Sequence, residues 1–227
     1  MSDKRALGIA QRKERIFAAA RSIIARDGFE ALTTRALAKA AGLTVPTLYN
    51  LIGDKTEIIA QTLEGSVEKV WQRLEFDRRA TPLEMADAII DEAYAVIRED
   101  RNYHRSILTL LDRAGISFAA NAERTDAGAR AAQRCVDMAE FACEAAIREG
   151  LLRGNIPASE LGQLMFMAYR GPMRDWIEHV VEDDEMLRRQ RRGFYLVMAS
   201  DASDAFRAHL IERTSALSPA QPIKEVA

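Results

Sequence analysis

Two short helices separated by a glycine turn are the strongest structural signal in this sequence. In residues 40–59, AAGLTVPTLYNLIGDKTEII, one helix is expected to end at Ala41, with Gly42 behind it. A second helix is expected to begin after Thr44, a favoured capping residue, with Pro46 in its first turn, where no backbone donor is needed. This stop and restart predicts a helix-turn-helix, the motif that joins two helices by a short turn containing glycine.

The apolar spacing around this turn predicts which side of each helix is buried. Ala38 is the small residue expected where the two helices cross, and Ile52 closes the apolar series. The positions expected to face inward are Leu37, Ala41, Leu43, Leu48 and Leu51. The outer face of the second helix is then left to Val45, Pro46, Thr47 and Asn50.

Every other long segment has the apolar periodicity of a helix, and none shows the alternation typical of a strand. Before the motif we expect a helix over residues 8–26. The first helix of the motif is expected to be capped by Thr33 or Thr34, and Asp54 is expected to cap a fourth helix after the motif. The sequence TPLE, Thr81 to Glu84, is a capping box that opens a helix ending near residue 99. Further helices are expected over residues 103–113, 123–149, 157–181 and 184–213. The prediction is an all-α chain of about nine helices: a helix-turn-helix domain over residues 1–55, a larger helical body over 56–213 and a flexible tail over 214–227.

Composition narrows the class of protein without identifying it. Of 227 residues, 48% are hydrophobic and 29% charged, as in ordinary globular proteins. No apolar run is long enough to span a membrane and no signal peptide is evident, so a cytoplasmic location is the expectation. Residues 1–60 carry ten Lys or Arg against six Asp or Glu, whereas the remainder carries 22 against 28. A basic N-terminal part on an acidic body indicates a polyanionic partner at one end.

The cysteines and histidines do not form a metal site in the sequence. Cys135 and Cys143 fall in one expected helix about 12 Å apart, too far for a disulfide. We expect both to be buried thiols that act as small apolar side chains, with a redox or ligand-contact role as the alternative. The three histidines are scattered. No metal, cofactor or catalytic residue is therefore predicted.

The segment LTTRALAKAAGLTVPTLYNLIGDK, residues 32–55, resembles the DNA-binding domain of the TetR family of bacterial transcriptional regulators in its TTR, LA and PTLY elements. The resemblance covers residues 11–59, and the remaining long helices are compatible with the family. It implies an all-α homodimer that binds double-stranded operator DNA and responds to a small-molecule effector. One departure is that Asn50, Leu51 and Ile52 follow the LY pair, where many members have aromatic or histidine residues, so the resemblance implies no particular operator sequence.

The resemblance assigns DNA contacts to residues of the motif. It places Thr34, Tyr49 and Lys55 on phosphates, which agrees with the anion preference of the helix N-terminus beside Lys55. Base contacts are expected from Arg35 to guanine and from Asn50 to adenine. Thymine methyl groups are the expected contacts of Val45, Pro46 and the methyl group of Thr47, while Thr44 serves as the cap and can also contact a phosphate.

The body is expected to provide a dimer interface and an effector pocket. The resemblance implies a four-helix bundle formed by the last two long helices of each subunit. The apolar stripes on these helices predict the interface residues Leu161, Leu164, Ala168, Phe194, Val197, Met198 and Phe206. Aromatic and methionine residues on the middle helices predict an adaptable, mostly apolar pocket. The candidate lining is Tyr94, Tyr103, His104, Leu108, Phe118, Met138, Phe141, Met165, Tyr169 and Trp176. His104 is expected either to orient a polar group of the effector or to be an ordinary surface histidine.

Two other classes of function remain as alternatives at this point. A helical adaptor could use its helix-turn-helix to bind another protein. An all-α enzyme is disfavoured because the sequence has no nucleophile elbow, zinc-protease helix or phosphate-binding loop. We therefore expect a DNA-binding regulator, most simply a repressor released by a hydrophobic effector.

Overall fold

The computed structural model describes residues 2–53, 55–74, 80–113 and 127–217, and these form ten α-helices. A short 3-10 turn over Phe29–Ala31 separates the first two, and the single bridge between Leu152 and Ala202 is the only β pairing among the described residues. The helices are α1 Ser2–Asp27, α2 Thr34–Ala40, α3 Val45–Ile52, α4 Lys55–Arg73, α5 Pro82–Glu99, α6 Arg101–Arg113, α7 Ala127–Arg148, α8 Ala158–Ile177, α9 Asp183–Asp201 and α10 Asp204–Ala216. The all-α prediction is confirmed. None of these helices is long and apolar enough to cross a membrane.

Several helix ends fall near the residues that the capping signals predicted, but α1 begins at Ser2 instead of residue 8 and one predicted helix is divided. The capping box is present: the Glu84 carboxylate accepts the backbone N–H of Thr81 at 2.7 Å, and the Thr81 hydroxyl accepts the N–H of Glu84 at 3.3 Å. The first of these bonds keeps the pKa of Glu84 below its ordinary value. The helix predicted over residues 184–213 is wrong, because α9 and α10 divide that segment and raise the helix count from nine to ten. The predicted cap Asp54 lies outside the described residues.

The break between α9 and α10 comes from a buried carboxylate. Asp201, the last residue of α9, accepts the backbone N–H groups of Gly154 at 2.7 Å and Asn155 at 3.2 Å. Ala202 then adopts an extended conformation and pairs with Leu152. The backbone carbonyl of Asp201 accepts the N–H of Arg153 at 2.8 Å, and the N–H of Ser203 donates to the carbonyl of Leu151 at 2.8 Å, in place of helical bonds that would have continued α9. No glycine or proline marks the position, so the sequence pattern alone does not reveal it.

The chain divides into two units. The head unit comprises Met1–Glu75 and Glu92–Cys135, and the body unit comprises Phe76–Asp91 and Val136–Ala227. The core of the head unit is one apolar cluster in which α1, α2, α3 and α4 meet α6. Its α6 members, Tyr103 and Ile107, are buried as completely as Ile16 of α1 and Leu48 of α3. The predicted domain boundary at residue 55 stays a prediction.

In the body unit, α8 and α9 pack closely at small residues. A Cβ atom at Gly193 would lie 2.8 Å from the Cβ of Ala168, so glycine is required for this approach. Pro172 lies within α8 and cannot donate to the carbonyl of Ala168. The side chain of the buried Gln190 donates to the neighbouring carbonyl of Tyr169 at 3.1 Å. This bond ties α8 to α9 one residue beyond the carbonyl that Pro172 leaves without its helical donor.

A polar network joins α5, α9 and α10 within the body unit. The Asp87 carboxylate accepts hydrogen bonds from the Tyr195 hydroxyl at 2.7 Å and from the Arg213 guanidinium at 3.2 Å, and Arg191 lies 3.7 Å away. Desolvation nevertheless raises the pKa of Asp87, and the hydrogen bond from Tyr195 and the two cations oppose that rise. The network fixes the relative positions of three helices by directional bonds.

Gly42 should be needed for its backbone conformation. Its φ is +66°, and a Cβ there would meet only the Arg15 guanidinium at 3.9 Å, so space is not the constraint. Gly42→Ala should lower the free energy of unfolding by about 1–2 kcal/mol, because the left-handed region is strained for residues with a Cβ. Gly65→Ala, at an open position within α4, is the matched control and should raise it by roughly 0.5–1 kcal/mol. Urea denaturation measures both, and equal effects of the two substitutions would refute the role assigned to Gly42.

Candidate nucleic-acid interface

Two threonine caps and a left-handed glycine build the turn between α2 and α3. The Thr33 side chain accepts the N–H of Ala36 at 3.1 Å and starts α2. After Gly42, the N–H of Leu43 donates to the carbonyl of Ala38 at 2.9 Å, which closes the turn. Thr44 then caps α3. The stop and restart predicted from the sequence is therefore present with these capping groups.

The inner face of α3 is fixed by the head core. Leu48 and Ile52 are buried, and Leu43 and Leu51 pack partly against the same cluster. The outer face carries Pro46, Tyr49 and Asn50, which are exposed; the side chain of Tyr49 is 51% exposed. Val45 differs from the predicted outer face, since it is half-buried against the core.

The first turn of α3 holds its two threonines together. The Thr44 oxygen accepts the backbone N–H of Thr47 at 3.4 Å, and the two hydroxyl groups lie 2.8 Å apart in a hydrogen bond. With its hydroxyl occupied in this way, Thr47 is better suited to apolar contact through its methyl group than to a polar contact. The arrangement agrees with the thymine contact expected for Thr47.

Basic residues line the neighbouring surface. Arg35, in the first turn of α2, is exposed, and so is Lys39 near its end, while Thr34 is half-buried. Lys55 begins α4, and its phosphate contact stays a prediction. One residue was missed from the sequence: the guanidinium of Arg15 on α1 lies beside the turn, 3.9 Å from where a Cβ at Gly42 would be. Arg15 directly precedes Ile16, which is buried in the core of the head unit. Its place beside the turn depends on how α1 packs, which the local sequence pattern does not show.

The ten residues predicted to line an effector pocket fall in both units, and the structure does not test whether they share a cavity. In the head unit, Tyr103 is buried in the core cluster, Leu108 packs partly against that cluster, and Tyr94 lies under the Arg98 guanidinium. The body-unit members are Met138, Phe141, Met165, Tyr169 and Trp176, of which Phe141 is exposed. Phe118 lies outside the described residues.

His104 is buried, so the alternative of an ordinary surface histidine is wrong. Its Nδ1 atom lies 2.9 Å from the carbonyl oxygen of Asp100 and must carry the hydrogen, because a carbonyl only accepts. Its Nε2 atom lies 3.3 Å from the Ser66 hydroxyl on α4. Burial lowers the pKa of His104 below its ordinary value, while the bond to Asp100 opposes this shift. The imidazole therefore acts as a neutral link between α4 and α6.

Neither cysteine forms a disulfide, and one of them matches the expectation of a buried thiol. Cys143 is buried, and its thiol donates to the Met165 sulfur at 3.5 Å. Burial raises the pKa of Cys143 to about 12, so the reactive thiolate is scarcely present at neutral pH. Cys135 is only half-buried.

The predicted dimer-interface residues divide into covered and uncovered sets. Leu161, Phe194, Met198 and Phe206 are buried within their own chain, so they have little surface left for a partner. Ala168 and Val197 are half-buried, and Leu164 is 39% exposed. The large apolar side chains left uncovered on α8 and α9 are Leu164, Met167 (66% exposed) and Leu196 (49% exposed). Met167 and Leu196 were not among the predicted residues.

A short helix that is held by its buried face beside a capped turn, with polar side chains outward, can enter the major groove of DNA. Together with the all-helical chain, this arrangement defines the helix-turn-helix class of DNA-binding proteins.

The helix-turn-helix segment matches a known family. Residues 16–62 match the family model described as "Bacterial regulatory proteins, tetR family". This match confirms the resemblance of the segment to the DNA-binding part of TetR-family transcriptional regulators. Comparison with curated protein sequences found no significant match.

Solved structures share the fold over most of the chain. SmeT, described as the repressor of the Stenotrophomonas maltophilia multidrug efflux pump SmeDEF, is 20% identical, with 86% of this chain and 92% of SmeT covered and a TM-score of 0.61. Thermus thermophilus FadR, a TetR-family repressor solved with lauroyl-CoA, is 18% identical, with 82% and 93% covered and a TM-score of 0.63. CprB from S. coelicolor A3(2) is 18% identical, with 91% and 97% covered and a TM-score of 0.56.

Replacing His104 should change how stability depends on pH. The folded state keeps His104 neutral to lower pH than the unfolded chain does, so the unfolded chain binds more protons below the ordinary histidine pKa of about 6.5. The stability that this residue contributes is present above that pH and is lost as pH falls. The difference in free energy of unfolding between wild type and His104→Asn should therefore shrink between about pH 7.5 and pH 5.

Urea denaturation across this range, with the exposed His209→Asn as control, measures the effect. A difference between wild type and His104→Asn that is constant over the range would contradict the neutral-histidine assignment.

Proposed function

We propose that this protein is a repressor that binds a near-palindromic operator as a homodimer and releases it when a small, largely hydrophobic effector binds. The observation that carries the proposal is the outer face of α3, where Pro46, Tyr49 and Asn50 are exposed while Leu48 and Ile52 anchor the opposite face. The exposed Arg35 on α2 adds a cation beside this face. In such an arrangement, tyrosine and lysine contacts to phosphates position the helix, and asparagine and arginine contacts to base edges specify the sequence.

The homodimer is supported by uncovered apolar side chains on two neighbouring helices. Leu164 and Met167 of α8 and Leu196 of α9 are at least 39% exposed, although each is a large apolar residue. A second copy of these helices would remove them from water, which is the main driving force for association. Two heads related by two-fold symmetry would then read two half-sites, which is why the operator should be near-palindromic.

The effector is supported by the chemistry of the predicted pocket residues and by the two repressors of similar fold. FadR is described in complex with lauroyl-CoA, and SmeT represses a multidrug efflux pump. Methionine and aromatic side chains provide an adaptable apolar lining, in keeping with a hydrophobic ligand. An effector that favours a conformation with lower DNA affinity must, by linkage, be bound less tightly when the operator is present.

Selection of bound duplexes from a random DNA pool tests the proposal. The purified protein, denatured and refolded to remove any bound ligand, should enrich a two-fold symmetric site at moderate salt. The enriched duplex then serves to screen hydrophobic compounds for release of the DNA. A folded, dimeric preparation that enriches no site would refute sequence-specific repression, and enrichment of an asymmetric site would refute binding as a symmetric dimer.

Two substitutions on the outer face of α3 should have different effects. Tyr49→Phe removes a hydroxyl expected to bind a phosphate, so it should weaken binding to all duplexes alike. Asn50→Ala should relax the preference at one base pair in each half-site, with a loss of about 1–3 kcal/mol of discrimination. Binding titrations against the selected site and its single-base variants separate the two effects.

Because both residues are exposed, neither substitution should alter stability. A change of base preference with Tyr49→Phe, or unchanged preference with Asn50→Ala, would show that the contact is assigned to the wrong residue.

A further inference from the structure

The first half of α1 extends beyond the core of the head unit. The helix begins at Ser2, but among its side chains that the structure describes, from Ala6 onward, the first buried one is Ile16. Residues 2–15 amount to about 21 Å of helix, and none of the described side chains from Ala6 to Arg15 is buried. An isolated helix of this length is marginal in water. A partner that contacts it would therefore contribute to its stability.

This extension of α1 lies next to the turn from which α3 begins. Arg15 is beside the turn at Gly42, and the next residue, Ile16, packs in the cluster shared with α2 and α3. The helix before Arg15 therefore continues past the turn from which α3 begins. Arg12 and Lys13 precede Ile16 by four and three residues, so they lie on the face of α1 that packs against α2 and α3 further along.

Arg12, Lys13 and Arg15 form no ion pair with the carboxylates that the structure describes. Glu14 is paired with Arg21 at 3.2 Å. Some other arginines of the head unit are paired, such as Arg130, whose Nε lies 2.7 Å from Glu64. Arg15 beside the turn and the neighbouring Arg12 and Lys13 form a local excess of positive charge that complements a polyanion.

The apolar residues of the extension do not point to a different partner. Leu7 and Ile9 are both exposed, but they are two positions apart and lie about 200° apart around the helix. They cannot form one apolar face, which docking on a protein groove or a membrane surface would require. Arg12 and Lys13, by contrast, are consecutive residues about 100° apart, and both lie toward the side of the helix that carries Ile16.

We propose that the first half of α1 is a second DNA-contacting element, in which Arg12 and Lys13 bind phosphates of the duplex that flanks the bases read by α3. This inference rests on the proposed DNA-binding function and adds a second site of contact to it. Phosphate contacts raise affinity and salt dependence without reading sequence. The element therefore extends the footprint of each head beyond its half-site.

The test is the salt dependence of binding to the duplex enriched from the random pool. By fluorescence anisotropy over a series of salt concentrations, Arg12→Ala/Lys13→Ala should reduce the slope of log K against log salt by about 2 for each head, or about 4 for a dimer. The preferred bases should be unchanged. Arg12→Lys/Lys13→Arg keeps both charges and should keep the wild-type slope.

A control separates this contact from a general effect of charge. Arg26→Ala/Arg148→Ala removes the same charge from exposed positions on α1 and α7 and should leave the slope at its wild-type value. Thermal unfolding followed by circular dichroism should be the same for all variants, because each altered side chain lies outside the core.

The possible failures are distinguishable. If the wild-type protein binds no duplex, the proposed function itself is wrong. If wild type binds but Arg12→Ala/Lys13→Ala keeps its slope, or if the control lowers the slope equally, the α1 contact is refuted while DNA binding stands. A changed base preference would likewise overturn the phosphate assignment.

Discussion

The left-handed backbone at Gly42 is the constraint on which the position of the outer face of α3 depends. It lets the chain end α2 and start α3 within a few residues, and the bond from Leu43 to Ala38 closes that turn. The burial of Leu48 then fixes the rotation of α3 about its own axis. Once turn and rotation are set, the direction of every outer side chain follows from helical geometry. One backbone torsion and a few apolar contacts thus position the face of α3 that is proposed to contact DNA.

The body unit combines close packing inside with an uncovered apolar surface outside. Gly193 and Ala168 bring α8 and α9 together because neither carries a side chain larger than a methyl group. The outward positions instead carry large apolar residues such as Met167 and Leu196. The network around Asp87 holds α9 and α10 to α5 by directional bonds. A rigid helix pair with a fixed outer surface is suited to self-association, since little conformational freedom remains to be lost on binding.

Local signals made the motif predictable, whereas long-range contacts decided what the sequence missed. Threonine caps, a glycine stop and apolar spacing act within a few residues, so they placed α2, α3 and the start of α5 correctly. The division of α9 from α10 depends on Asp201 bonding to backbone groups more than forty residues earlier, which no local pattern shows. Tyr103 and His104 were expected to line a pocket, with an ordinary surface position as the alternative for His104. Their burial depends on the contacts of α6 with the rest of the head unit.

The participation of α6 in the head core has a consequence for the modularity of this protein. Tyr103 and Ile107 complete the cluster that also contains Leu37 and Leu48 of the two motif helices. The helix-turn-helix segment is therefore not an independent module at the start of the chain, because part of the core that it packs against comes from residues some fifty positions further along the sequence. Recombination that replaced only the N-terminal segment would join a new motif to an α6 shaped for another core. Substitutions in α3 and in α6 are therefore coupled through shared packing, although only α3 carries the exposed face of the motif.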